Sequence, residues 1–139
     1  MNIIDYRGRL NNHEEYTKIL EKLEIKCNHV EIVILNERKS NELVDEFKND
    51  ILEIRKVTEW WGTKTKEYNN LYKIKASKKF FEYLQKYETF CKFYFSKNGE
   101  HSEKTNFGDD DIAFFDKNNK YLLLTTTHEG EIYISNELI

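Results

Sequence analysis

Apolar positions in this chain follow two rhythms, one helical and one extended. Tyr16, Ile19, Leu20, Leu23 and Cys27 recur at three- and four-residue spacings, so residues 12–27 are predicted to form a helix with one apolar face. Asn12 followed by Glu15 resembles a capping box, with Asn in place of the usual Ser or Thr. The run Val30-Glu31-Ile32-Val33-Ile34-Leu35 is short, β-branched and nearly all apolar, the pattern of a central strand. Ser40 is positioned to cap a second helix that turns Leu43, Val44, Phe47 and Ile51 inward. Residues 52–61 could prolong that helix, but Ile54, Val57, Thr58, Trp60 and Trp61 favour a strand, which Gly62 breaks.

Residues 71–76 alternate apolar with charged, as a half-buried strand does. Ser77 opens a third helix with Phe80, Phe81, Leu84 and Tyr87 on one side, and residues 90–95 return as a strand. Residues 98–111 are polar and read as a loop. Three extended runs follow, at 112–115, 121–127 and 131–135, separated by turn-like segments. They predict an antiparallel meander in which Ile132 and Ile134 point inward. Helices come early and hairpins late, which is the pattern of an α+β fold. The expectation is a single α+β domain over residues 1–139, with about three helices and a mixed or antiparallel sheet ending in a three-stranded meander.

Composition adds what the core is made of. Apolar residues are only 39% of the 139, but nine Phe, nine Tyr and two Trp are among them, so a core built from rings is expected. Abundant aromatics and a net charge of −3 argue against disorder. No run approaches the ~20 apolar residues of a membrane helix, and the first residues lack a signal-peptide pattern. The expectation is a cytoplasmic chain with no membrane partner, in which Cys27 and Cys91 stay reduced as small apolar residues.

Charge is uneven. Residues 1–54 carry 8 basic and 12 acidic side chains, residues 55–97 carry 11 and 4, and residues 98–139 carry 3 and 9. The basic middle segment interleaves lysines with Trp60, Trp61, Tyr68, Tyr72, Phe80 and Phe81, a mixture that could stack on and neutralise single-stranded nucleic acid. Arg55 is its only arginine, which weighs against nucleic acid. The simpler expectation is that this segment folds beside the acidic C-terminal meander and the charges offset one another.

Four places could carry chemistry. Trp60 and Trp61 are adjacent, and alternation along a strand would leave one of them outside the core, where an aromatic can anchor a protein partner. Lys78 and Lys79 follow Ser77 in the first turn of a helix, where the macrodipole disfavours cations unless an anion is bound. Asp109, Asp110 and Asp111 could supply oxygen ligands to a hard cation, although a solvated acidic loop is the commoner meaning. His128 and Glu129 lie at a turn between strands and could serve as an acid/base pair. Cys91 lies in an apolar run, where a thiol is inert. No glycine-rich phosphate loop, nucleophile elbow or helical zinc motif occurs.

The stretches Thr58-Glu59-Trp60-Trp61-Gly62-Thr63-Lys64-Thr65, Glu88-Thr89-Phe90-Cys91-Lys92, Asp110-Asp111-Ile112-Ala113-Phe114-Phe115-Asp116 and Thr125-Thr126-Thr127-His128-Glu129-Gly130 resemble a group of small uncharacterised proteins of low-GC Gram-positive bacteria. The resemblance runs along most of the chain. Some members carry the label of a stage III sporulation protein. It implies no activity, cofactor or catalytic residue.

The reading reached from the residues is a non-enzymatic protein-binding module, of immunity or regulatory type, with no cofactor and with Trp60 and Trp61 at its partner surface. One alternative is a small metal-dependent or acid/base hydrolase using His128, Glu129 and the Asp109, Asp110 and Asp111 cluster. The other is an anion site at Ser77, Lys78 and Lys79. Because the chain contains no proline, refolding from denaturant is expected to lack the phase of tens of seconds that proline isomerisation produces. Stopped-flow fluorescence followed by manual mixing checks this.

Overall fold

The structure, a computed structural model, describes residues 3–5, 13–35, 38–87, 90, 96–97, 100–101, 110–127 and 131–138. In chain order the elements are β1 (Ile3–Asp5), α1 (His13–Lys26), β2 (His29–Ile34), α2 (Glu42–Glu46), a 3-10 turn (Lys48–Asp50), β3 (Ile51–Trp60) and β4 (Thr63–Lys75). Then come α3 (Lys78–Leu84), the two-residue strands β5 (Ser96–Lys97) and β6 (Glu100–His101), β7 (Asp111–Phe115), β8 (Tyr121–Thr126), β9 (Glu131–Ser135) and a closing 3-10 turn (Asn136–Leu138). Seven strands form one sheet in the order β1-β9-β8-β7-β2-β4-β3, and every neighbouring pair is antiparallel. Among the described residues β5 and β6 pair with each other alone. The fold is α+β, and β7, β8 and β9 form the meander.

The sheet has one face under helices. Val30, Ile32 and Ile34 of β2 line up across the ladder with Ile112 and Phe114 of β7 and Ile74 of β4. Onto them pack Tyr16, Ile19, Leu20 and Leu23 of α1, Leu43 and Val44 of α2, and Phe80, Phe81 and Leu84 of α3. Burying each such side chain stabilises by about 1.5–3 kcal/mol.

Rings connect the layers, as the composition suggested. Phe47 meets Phe80 and Tyr83 edge-on, Phe90 meets both Tyr16 and Phe114, and Phe81 lies against Phe114. The fully buried Tyr16 also needs a partner for its hydroxyl, which donates to the Leu84 carbonyl at the end of α3. No helix among the described residues is long and apolar enough to cross a membrane.

Several boundaries differ from the sequence reading. Asn41, not Ser40, caps α2: its side-chain oxygen accepts from the Val44 amide at 2.8 Å, while the Ser40 hydroxyl donates to Asp45. β4 begins eight residues earlier than the alternating run that revealed it, because its first half is polar and pairs only with β3. The strand expected at 90–95 lies outside the described residues except for Phe90, which is buried in the core.

The β3–β4 hairpin is bent. Trp60 pairs with Thr63 at its tip, and a straight strand would put Thr63 roughly 26 Å from Leu71. Trp60 nevertheless joins Val33 and Leu71 in one cluster. The outer half of the hairpin therefore folds back over the sheet. Register shifts between Ile51 and Glu53 and between Val57 and Glu59 supply the bends. Inside the bend, the buried Asn69 donates to the Thr65 hydroxyl and the Glu67 carbonyl. At the tip Gly62 has φ +98°, a conformation that L side chains rarely adopt.

Candidate functional site

Opposite the helices, no helical residue joins the two small clusters that cover the other face. This face is built by strand alternation alone. β2 presents His29, Glu31 and Val33, and the ladder sets these beside Phe115, Ala113 and Asp111 of β7 and beside Lys75, Lys73 and Leu71 of β4. Four rings run across it in file. His29 stacks on Phe115 at 4.9 Å and 6°, Phe115 meets Tyr121 at 4.7 Å, and Tyr121 meets Trp61 at 6.4 Å and 74°.

Beside the rings lies a charged group. The side chain of Glu31 is only 12% exposed and faces Arg55 at 3.4 Å, which also approaches Glu53. Burial pushes the Glu31 carboxyl up from its ordinary value, against the pull of Arg55 and Lys73. Tyr121 is likewise raised, by burial first and then by the charge of Glu31. His29 is shifted down, mainly by burial and then by Lys73, so it favours the neutral ring; its Nδ1 lies 3.0 Å from the Asn28 side-chain oxygen.

The hairpin tip is anchored onto one end of this face. Trp60 is buried, and its indole N–H donates to an Asp111 oxygen at 2.8 Å. Trp61 is half-buried, packs on both small clusters and donates its N–H to the Thr125 carbonyl at 2.9 Å. Alternation had predicted that the two tryptophans part company. Trp61 does stay half-buried, but it reaches the same small cluster as Trp60, because it sits in the turn with φ +23° rather than in the strand. Trp60 is thus a core residue, and Trp61 alone presents surface.

Asp110 and Asp111 lie in the interior, not in a solvated loop. Asp110 accepts from the Leu35 amide, from Arg38 and from Asn41. Asp111 accepts from Trp60 and, at 2.8 Å, from the Thr127 amide. The two carboxylates diverge, and their oxygens are engaged by donors of the chain. Among the described residues no three His, Cys, Asp or Glu side chains converge as a metal would require. Asp109, His128, Glu129 and Cys91 lie outside the described residues. Cys27 is a free thiol, donating to the His29 carbonyl and pushed up to about 12 by burial, which makes it a poor nucleophile.

At the third helix, Ser77 caps the Phe80 amide, and Lys78 and Lys79 are exposed. Lys79 edges a cleft of about 440 Å³ between α3 and the segment after α2. That cleft sets Glu46, Asp50 and Glu82 against Lys79 and Lys86, a balance that does not favour an anion. Sequence reasoning missed Glu31, Tyr121 and the row of rings. Glu31 was the one visible signal, a lone charge inside an otherwise apolar central strand.

Compared with known proteins, the chain matches no family model, no curated protein and no solved structure.

Two outcomes test this geometry. Asp111→Ala leaves the buried Trp60 and Thr127 N–H groups without an acceptor and should cost about 2–4 kcal/mol in urea unfolding, whereas Trp60→Phe should cost less. Glu31→Gln should melt higher than wild type at pH 7, because a raised carboxyl penalises the ionised folded state. The difference should close as the pH falls below the unfolded value near 4.5, where the glutamate is neutral in both states.

Proposed function

We propose that this chain is a protein-binding module that meets an acidic partner surface with its helix-free sheet face. The observation that carries the reading is the outer end of the row of rings, where Tyr121 and Trp61 stay partly exposed on the buried pair His29 and Phe115, beside basic strands and not covered by any described helix. Rings of this kind supply large contact area at low entropic cost, and interface cores are enriched in them.

The sign of the partner follows from the hairpin. Arg55, Lys56, Lys64, Lys66, Lys73 and Lys75 stand against Glu53, Glu59 and Glu67 over residues 51–75. Sequence reasoning expected these cations to be offset by the acidic C-terminal meander. β2 lies between β4 and β7 in the sheet, and among the described residues no ion pair joins residues 55–97 to residues 98–139. Arg55 is paired with Glu31 and Glu53, and Lys64 with Glu59, so Lys73 and Lys75 are the cations this face offers to an outside surface. Lone lysines without arginine forks suit carboxylates on a protein better than specific readout of nucleic acid.

Immobilised protein should retain an acidic protein from native lysate, and Trp61→Ala and Lys73→Glu should each weaken that retention by about tenfold or more. Ile25→Ala, on the exposed far side of α1, should leave it unchanged. Retention indifferent to both face variants, or abolished by nuclease, overturns the reading.

A further inference from the structure

We infer that the β3 edge pairs antiparallel with the β3 edge of a second copy of this chain, about a two-fold axis through Ile54. β3 ends the sheet, and among the described residues no strand lies along the other side of its backbone. Its side chains are exposed from Leu52 to Lys56, and Leu52 and Ile54 are each 58% exposed, two of the four exposed large apolar residues among those described.

The sequence of the edge selects both the partner and the register. In an antiparallel pair with a two-fold axis normal to the sheet, facing residues share a face, so the axis must pass through a residue. An axis at Glu53 sets two carboxylates directly opposite, and one at Arg55 sets two guanidinium groups opposite; like charges so placed are destabilising. An axis at Ile54 sets Glu53 opposite Arg55 of the second copy, twice, and Ile54 opposite Ile54. Of these three axes, only the one at Ile54 keeps like charges from facing each other. Glu53 and Arg55 are about half exposed and lie on the same face, so both are available to a second copy. The bulge between Ile51 and Glu53 confines regular pairing about this axis to residues 53–55, which predicts a weak, reversible dimer.

Sedimentation velocity of the full chain over a wide concentration range is the test. Wild type should show a monomer–dimer equilibrium, and Ile54→Lys should raise the dimer dissociation constant by more than about tenfold. Glu53→Arg alone and Arg55→Glu alone should each be monomeric. An equimolar mixture of the two should dimerise, because every arginine then faces a glutamate. Arg55→Glu also loses its Glu31 contact, so melting curves must accompany it; Ile54→Lys disturbs no packed residue and tests the edge by itself. A wild type that stays monomeric, a dimer indifferent to Ile54→Lys, or folded variants that fail to associate when mixed would each overturn the inference.

Discussion

Two adjacent carboxylates sealed from water at the start of β7 constrain this fold more than any apolar contact. Asp110 and Asp111 are 1% and 0% exposed, and a buried charge is tolerated only when donors converge on it. Asp110 draws the chain after β2 back on itself, because Leu35, Arg38 and Asn41 must all reach it. Asn41 then uses its other side-chain atom to start α2, so one residue joins the carboxylate to the helix cap. Asp111 points to the opposite face and draws in the hairpin tip through Trp60 and the end of β8 through Thr127. The peptide between them is held as well, since the Thr127 hydroxyl donates to the Asp110 carbonyl. Removing either carboxylate would free several donors at once, which is why such pairs cost more to break than they contribute when intact.

The two faces of the sheet follow from that anchoring. Helices shield the first face with aliphatic and ring contacts, and there the energetics are those of an ordinary core. On the second face the bent hairpin covers one end only, and no described helix completes the cover. What remains is a compromise between burial and exposure. Glu31 is largely desolvated yet paired with Arg55, and Tyr121 and Trp61 are partly covered yet present edges outward. His29, Ala113, Phe115 and Leu124 of this face are already buried, so a further surface would gain by covering Glu31, Tyr121 and Trp61.

The elements with strong periodicity were legible in the sequence. α1, the central β2 and the three C-terminal strands fall where the spacing of Tyr16 to Leu23, the β-branched run from Val30 and the turns at 116–120 and 128–130 put them. What could not be read depends on contacts between residues far apart in the chain. An Asp-rich run has the same local signature whether water or Arg38, Asn41 and Trp60 solvates it; only the fold decides. The first half of β4 has no apolar alternation, because neither of its faces meets the main core. That Trp60 and Trp61 share a cluster was hidden for a different reason. Strand alternation was extended one residue too far, into a turn whose backbone turns the second ring onto the same cluster as the first. Glu31 and Tyr121 are ninety residues apart in sequence, and nothing local announces that they share an electrostatic environment.

The binding face and the β3 edge reinforce each other geometrically. A two-fold axis normal to the sheet leaves the helix-free faces of both copies on the same side of the joined sheet. Each row of rings then looks in the same direction, with the basic hairpins adjacent at the centre. Arg55 would stand between Glu31 of its own copy and Glu53 of the other, so assembly would extend the charged group rather than bury it. Two weak sites presented on one surface act together once a partner spans them, because the second contact forms at high effective concentration. A small face of modest affinity can therefore serve as a useful binder without any single deep pocket.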